Sequence, residues 1–187
     1  MIRIAIFASG SGSNAENIAK HFENNKEVEI ALIVSNKKDA FVHERAKKLH
    51  IESVTFPKSD FETTENVLTF LKERNIDFIV LAGFLLKVPQ NLIDAYPEKI
   101  INIHPALLPK FGGKGMYGDN VHKAVVEAGE KESGITIHYV NENYDEGNII
   151  FQAKCSVENS DTYEDVAKKV HTLEYMHFPI VIEKLLK

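Results

Sequence analysis

Cysteine is almost absent from the sequence, which excludes two kinds of stabilising site. Cys155 is the only cysteine among 187 residues. A disulfide needs two cysteines and a cysteine-based zinc site needs several, so the chain can build neither. We therefore expect Cys155 to be a small residue on a strand.

Concentrated positive charge and long apolar runs are also missing. Lysine and arginine total 22 against 27 acidic residues, a net charge of -5, so no nucleic-acid partner is expected. The first apolar run, 2–8, is too short for a membrane span and ends in a glycine turn rather than a cleavage site. We expect a cytoplasmic protein without a membrane partner.

The order of apolar runs predicts one α/β domain over residues 1–187, since no repeat or linker interrupts them. Short β-branched runs at 2–8, 28–34, 78–82 and 100–103, with a weaker one at 53–56, alternate with helical patterns at 14–24, 41–49, 61–74 and 91–95. Near-continuous apolar strands separated by such crossovers are typical of a mostly parallel, Rossmann-like sheet with helices on both faces.

The later sequence predicts a different arrangement. A helix at 120–127 precedes two strand patterns, 135–140 and 149–157, joined by a short polar loop. This spacing predicts an antiparallel hairpin. A final helix is expected from an N-cap at Asp161 to Lys187, broken or bent near Pro179.

A glycine loop follows the first strand and opens the first helix. In F-A-S-G-S-G-S-N, free backbone N–H groups would converge at Gly12, Ser13 and Asn14, where a doubly wound fold binds phosphate. The spacing also fits a dinucleotide fingerprint, but the second strand ends in V-S-N-K without an acidic residue. We therefore favour a binding site for a single phosphate group. The alternatives are a dinucleotide site and a tight turn that only caps the helix.

The segment INIHPALLPKFGGKG places polar residues where an apolar strand ends. Asn102 and His104 are two apart, so they point to the same side of the strand. Pro105 stops the ladder directly after them. An amide and an imidazole side by side can stabilise a developing oxyanion, and the imidazole can also move a proton. The alternative is that both side chains only satisfy backbone groups.

A carboxylate near His104 would raise its pKa and favour the imidazolium. Asp145, in the loop NYDEGN between the two late strands, is the best-placed candidate, with Glu142 and Glu146 beside it. The remaining histidines show no metal-binding spacing, so no metal is expected. His138 shares a strand face with Thr136, and we expect a structural role for it more than a place in the site.

Beyond these local readings, the motifs LAGF, INIHPALLPKF and HYVNENYDEGNIIFQA resemble the folate-dependent phosphoribosylglycinamide formyltransferase family over essentially the whole chain. The resemblance implies formyl transfer from 10-formyltetrahydrofolate, as co-substrate, to the amine of glycinamide ribonucleotide. Both are small molecules, and the oligomeric state stays undetermined. A 10-formyltetrahydrofolate deformylase and a non-catalytic nucleotide- or folate-binding domain are the alternatives. Relatives in the wider family carry further domains, for which we expect no room here.

The same resemblance implies roles for individual residues. Asn102, His104 and Asp145 would be catalytic. The nucleotide would be bound by the phosphate loop and by a glutamate of the last helix, namely Gly12, Ser13, Asn14 and Glu174. The folate would lie on Asn102 and a loop after the fourth strand, namely Leu85, Leu86, Lys87 and Val88.

Two segments depart from the family pattern. The position of a common folate-contacting arginine is occupied by residues 61–65, with Thr64 nearest, so this contact needs a replacement. The loop 112–118 is longer and richer in glycine than in the best-known members. Two interpretations are open for this loop. It is a mobile flap over the nucleotide, with Lys114 near phosphate, or a flexible loop exposed to solvent.

Overall fold

The computed structural model describes residues 1–187, apart from the side chain of Thr63. The chain forms two compact units, residues 1–101 and 102–187, which divide within one strand. Its strands are β1 (Ile2–Phe7), β2 (Val28–Ser35), β3 (Glu52–Thr55), β4 (Phe78–Leu81), β5 (Ile100–His104), β6 (Glu132–Tyr139) and β7 (Ile149–Ser156). Its helices are α1 (Ser13–Phe22), α2 (Val42–Lys48), α3 (Lys58–Thr63), α4 (Asn66–Glu73), α5 (Gln90–Ala95), α6 (Asp119–Glu127) and α7 (Tyr163–Leu185).

The first unit contains the parallel part of the sheet. Its strand order is β3-β2-β1-β4, followed by the first residues of β5, and β1 pairs in parallel with both β2 and β4. All of β4 and the last four residues of β1 are buried, as expected for strands covered on both faces. The predicted α/β class is confirmed.

The second unit contains the antiparallel pair. Its order is β5-β6-β7, and β6 runs antiparallel to β7, from Glu132 opposite Ser156 to His138 opposite Ile149. The predicted late hairpin is therefore confirmed. Helix α7 packs against both of these strands and against α6.

One predicted helix, 61–74, is wrong in its extent. The structure has two helices, α3 and α4, separated at Thr64, whose backbone is extended at φ -131° and ψ 163°. The Thr64 hydroxyl donates to the Asp60 carbonyl (3.0 Å) and accepts from the Asn66 N–H (3.2 Å). A threonine side chain that satisfies the backbone on both sides favours a break over a continuous helix.

The last helix also differs from its prediction at two points. Its N-cap is Thr162 rather than Asp161: the Thr162 hydroxyl accepts from the Asp165 N–H, and the Asp165 carboxylate accepts from the Thr162 N–H. Helix α7 also continues through Pro179 to Leu185, so of the predicted break or bend the break is wrong. Phe178 and Pro179 are both buried, so this turn of α7 is packed within the second unit.

None of the helices built from the described residues combines the length and apolar character needed to cross a bilayer.

The capping box of α7 makes a testable contribution to stability. Thr162→Ala removes the side-chain acceptor at the N-cap and should lower the free energy of unfolding by about 1 kcal/mol. Urea denaturation followed by circular dichroism measures the loss. Thr172→Ala is the matched control, because the Thr172 hydroxyl only donates to the Lys168 carbonyl within the same helix. Equal losses in both variants would contradict a special role for the cap.

Candidate active site

The imidazole of His104 is buried at the end of β5 and is held at both ring nitrogens. Only 3% of the residue is exposed. Its Nε2 lies 2.7 Å from the carbonyl oxygen of Phe111, so this nitrogen carries a proton and donates it. Its Nδ1 lies 3.5 Å from Oδ2 of Asp145. The ring is therefore fixed between a backbone acceptor and a carboxylate.

Asp145 is the centre of the polar cluster in the second unit. Its Oδ2 accepts from the Gly113 N–H (2.9 Å) and faces His104. Its Oδ1 lies 3.5 Å from Nδ2 of Asn102 and 3.6 Å from Nε2 of His138. Asn102, His104 and Asp145 are thus brought together, whereas Glu142 and Glu146 are exposed.

The electrostatics of the pair differ from the sequence-based expectation. Burial lowers the pKa of His104 below its ordinary value of 6.5, and the Asp145 carboxylate opposes this without outweighing it. The carboxylate acts in the expected direction, but burial has the larger effect on the pKa. For Asp145, burial raises the pKa, but the polar surroundings, including the Gly113 N–H, outweigh burial and hold it below its ordinary value of 3.8. The carboxylate is therefore charged.

His138 belongs to the cluster, where we had expected mainly a structural role. Its Nδ1 donates to the Tyr139 carbonyl (2.8 Å), which leaves Nε2 as an acceptor for Nδ2 of Asn102 (3.1 Å). The Asn102 amide therefore directs one hydrogen at His138 and the other at Asp145. His138 and Asp145 together fix the orientation of Asn102. The position of His138 on the same strand face as Thr136 was the feature of the sequence that could have placed it in the cluster.

The glycine-rich loop after the LLP segment supplies two backbone groups to this cluster. Phe111 adopts a left-handed backbone, φ 56°, and its carbonyl accepts from His104. Gly113, at φ 94°, donates its N–H to Asp145. A Cβ at Gly112 would lie 2.5 Å from Cδ2 of Leu108, so a side chain at this position would require the Leu108 side chain to shift. The departure FGG from the family pattern therefore builds part of the site.

The preceding segment is held by a buried hydroxyl on β6. Oγ1 of Thr136 donates to the Ala106 carbonyl (2.7 Å) and accepts from the Leu108 N–H (3.0 Å). The Gln152 amide donates both to Thr136 (2.9 Å) and to the Leu108 carbonyl (3.1 Å). These bonds satisfy a turn that two prolines keep out of regular structure. The sequence patterns did not predict that Thr136 and Gln152 would hold this turn.

Glu174 lies on α7 in a second polar cluster of the same unit. It is 4% exposed, and its Oε2 lies 2.9 Å from Nδ1 of His171. This hydrogen bond is the main reason why the pKa of His171 is raised. His122, on α6, is 2% exposed, and burial is the main reason why its pKa is lowered. The charge of Glu174 also acts on His104, so the carboxylate is within electrostatic reach of that ring.

In the first unit, the predicted phosphate loop opens α1. Gly12 is the N-cap residue, with a left-handed backbone at φ 71° and ψ 23°, and Ser13 and Asn14 form the first turn. The buried Ser9 hydroxyl donates to Oδ1 of Asn36 (2.6 Å). Asn36 stands at the end of β2, where a dinucleotide site would have an acidic residue. It therefore holds Ser9 at the start of this loop.

The predicted folate loop follows β4 in the same unit. Leu85 and Lys87 are exposed, Leu86 is half-buried and Val88 is buried. The Leu85 N–H donates to the Ser9 hydroxyl (2.9 Å). The segment has no helix or strand, so part of its backbone can contact a ligand.

Comparison with known proteins agrees with this arrangement. The formyl transferase family matches residues 2–182. The chain belongs to the formyl transferase family. The sequence resemblance to its phosphoribosylglycinamide formyltransferases is confirmed.

The relatives within this family include bacterial and plant proteins. A phosphoribosylglycinamide formyltransferase of Bacillus subtilis is 39% identical, over 100% of this chain and 95% of its own length. A chloroplastic one of Arabidopsis thaliana is 43% identical over 90% of this chain, which spans 60% of that protein. The crystal structure of phosphoribosylglycinamide formyltransferase from Bacillus halodurans has a TM-score of 0.90 at 39% identity, covering 99% of this chain and 95% of that one.

The two segments that depart from the family pattern are both described by the structure. Thr64, nearest the position of the common folate arginine, uses its hydroxyl on the backbone between α3 and α4. Lys114 and Tyr117 are exposed in the glycine-rich loop. Among the described residues, no group of histidine, cysteine or acidic side chains has a geometry that could hold a metal ion.

The backbone donor at Gly113 can be tested against a glycine of the same loop. Gly113→Ala and Gly115→Ala each force alanine into a left-handed backbone, φ 94° and φ 88°, with open space around the Cβ. Each should cost about 1–2 kcal/mol in stability. Alanine keeps the backbone N–H but disfavours the left-handed conformation that aims it at Asp145. Of the two variants, only Gly113→Ala should therefore weaken this hydrogen bond and raise the pKa of Asp145. Carboxyl-carbon NMR titration measures this pKa; an unchanged value in Gly113→Ala would contradict the assignment.

Proposed function

We propose that the chain transfers the formyl group of 10-formyltetrahydrofolate to the amine of glycinamide ribonucleotide in purine synthesis. The observation that carries the proposal is the convergence of Asn102, His104 and Asp145, in a chain whose relatives are named phosphoribosylglycinamide formyltransferases. The fit in length to the bacterial relative supports the activity as well.

We assign His104 a proton-shuttling role in which its neutral form is the base, in line with the lowering of its pKa by burial. The substrate amine attacks the formyl carbon, and a new N–C bond forms as the carbonyl oxygen gains negative charge. His104 accepts a proton from the amine, becoming an imidazolium whose charge the Asp145 carboxylate stabilises. The bond from the formyl carbon to the folate N10 then breaks. His104, or a water held by Asp145, returns the proton to N10, so charge and protons balance.

Asn102 would stabilise the oxyanion at the cost of one existing contact. Its amide nitrogen donates to His138 at 3.1 Å and to Asp145 at the longer distance of 3.5 Å. Redirecting the second hydrogen to the formyl oxygen breaks the weaker of the two bonds. Such a donor, preoriented in a buried site, is worth a factor of about 10²–10³ in rate.

Substrate positions are assigned as the family resemblance suggests. We propose that the nucleotide phosphate binds at Gly12, Ser13 and Asn14, and that Glu174 contacts the glycinamide or ribose portion. The folate is assigned to Asn102 and the loop Leu85, Leu86, Lys87 and Val88. The start of α1, which no side chain caps, and the irregular backbone after β4 support these assignments.

Three broader statements also belong to the proposal. We assign the activity to one domain comprising residues 1–187, with small molecules as its partners and a cytoplasmic location. The family match over residues 2–182 supports the first. The presence of only one cysteine, which needs no oxidising compartment, supports the last.

The central test is turnover with both substrates. Absorbance should report release of tetrahydrofolate when 10-formyltetrahydrofolate and glycinamide ribonucleotide are both present, and no formate should appear without the nucleotide. Formate release of equal rate without the nucleotide would establish the deformylase instead. His104→Ala should reduce kcat by about 10²–10⁴. His21→Ala, an exposed histidine on α1, is the control. A His104→Ala variant within a few-fold of the parent would overturn the mechanism.

The pH dependence tests the protonation state of His104. A base must be neutral, so activity should be lost as pH falls through its pKa. Because burial lowers that pKa, the acid limb of kcat/KM should lie below 6.5. Asp145→Asn removes a charge that raises the pKa, and should move the acid limb to still lower pH while reducing kcat. An acid limb above 6.5 would contradict the lowered pKa, and activity that falls as pH rises through the pKa of His104 would show instead that His104 acts from its cationic form.

A further inference from the structure

Helix α2 holds the loop that precedes α1 from one side. The Val42 N–H donates to the Gly10 carbonyl (3.1 Å), and Nε of Arg45 donates to the Ser11 carbonyl (2.8 Å). A Cβ on Gly12 would lie only 2.3 Å from Cγ2 of Val42, so the loop packs directly on the helix. Two successive carbonyls are thus engaged by α2.

The direction of these carbonyls fixes the direction of two N–H groups. In a trans peptide, the C=O of one residue and the N–H of the next point to opposite sides of the chain. The N–H groups of Ser11 and Gly12 therefore point away from α2. Backbone N–H groups aligned in this way, next to a helix N-terminus, are what a phosphate ion requires.

The charge of Arg45 is largely compensated by its neighbours. Its guanidinium forms an ion pair with Glu16 on α1, which also binds Lys20 at 2.7 Å. The same guanidinium lies 5.1 Å from the ring centre of Phe41. With its charge paired and its side chain 26% exposed, Arg45 is better placed to hold the loop than to attract an anion.

We propose that Arg45 is a positioning residue for the phosphate monoester of the substrate, acting through its hydrogen bond to the Ser11 carbonyl. That bond holds the peptide between Ser11 and Gly12 so that the Gly12 N–H faces the phosphate. The inference rests on the proposed function, since it deepens the assignment of the phosphate to this loop.

Two variants separate position from charge. Arg45→Met removes both the hydrogen bond and the charge. Arg45→Lys keeps the charge but loses the fork that reaches Glu16 and Ser11 together. Arg74→Met is the matched control, because Arg74 also lies over an aromatic ring, Phe70, and pairs with an acid, Glu52, at another place in the same unit.

Phosphate binding is measured first without any turnover. Inorganic phosphate and ribose 5-phosphate should raise the Tm of the parent, each variant being compared with its own phosphate-free Tm. Both Arg45 variants should bind these probes about tenfold more weakly, the scale of loss expected when one hydrogen bond that orders the loop is removed. Arg74→Met should bind as the parent does. Parent-like affinity in either Arg45 variant would overturn the proposal.

Steady-state kinetics give the second readout. Both Arg45 variants should raise KM for glycinamide ribonucleotide about tenfold, with kcat and the folate KM close to the parent, because a binding interaction outside the reacting atoms is lost. A loss confined to kcat would contradict the role. If phosphate fails to stabilise the parent while formyl transfer proceeds, this inference is wrong and the proposed activity stands. If phosphate binds and no transfer occurs, the proposed function is wrong.

Discussion

The buried carboxylate of Asp145 is the constraint on which the candidate site depends. A charged group with 11% of its side chain exposed needs hydrogen-bond donors or opposite charges around it, because burial alone would drive it to its neutral form. The Gly113 N–H and the Asn102 amide supply donors, and the His104 ring lies beside them. Each residue that surrounds Asp145 is thereby also brought next to the others.

The backbone accepts strain to meet this need. Phe111 and Asp145 both have positive φ angles, 56° and 57°, where residues other than glycine are uncommon. Each places a group directly on His104, through the carbonyl of Phe111 and the carboxylate of Asp145. Backbone strain of this kind clusters at functional sites because the surrounding contacts hold it in place. Here those contacts are the Gly113 N–H and the Thr136 network.

Sequence patterns predicted the parts of the fold that depend on periodicity and spacing. Apolar runs located the parallel strands, and the polar loop before Ile149 located the hairpin. Alternation also placed Asn102 and His104 on one side of β5, whereas the choice of Asp145 over its acidic neighbours needed three-dimensional proximity. The break at Thr64 was missed because side-chain bonds to the backbone leave little trace in hydrophobic patterning.

The contacts that sequence could not predict join distant segments through backbone atoms. The Phe111 carbonyl and the Gly113 N–H carry no residue-type signal, although the glycines mark where the chain can turn. The pKa of His104 is a similar case. Sequence suggested the neighbouring carboxylate and the sign of its effect, but only the depth of burial shows that desolvation outweighs it.

The two hydrogens of the Asn102 amide have a consequence for chemical selectivity. Both point at groups of the protein, His138 and Asp145, in the ligand-free chain. Any acceptor that is to use this donor must first displace one of these contacts, and the 3.5 Å contact to Asp145 is the weaker one. A large bound ligand can offset that loss through its other contacts, and a lone water cannot. The resting arrangement thus reserves the Asn102 donor for an acceptor that a bound ligand carries into the cluster.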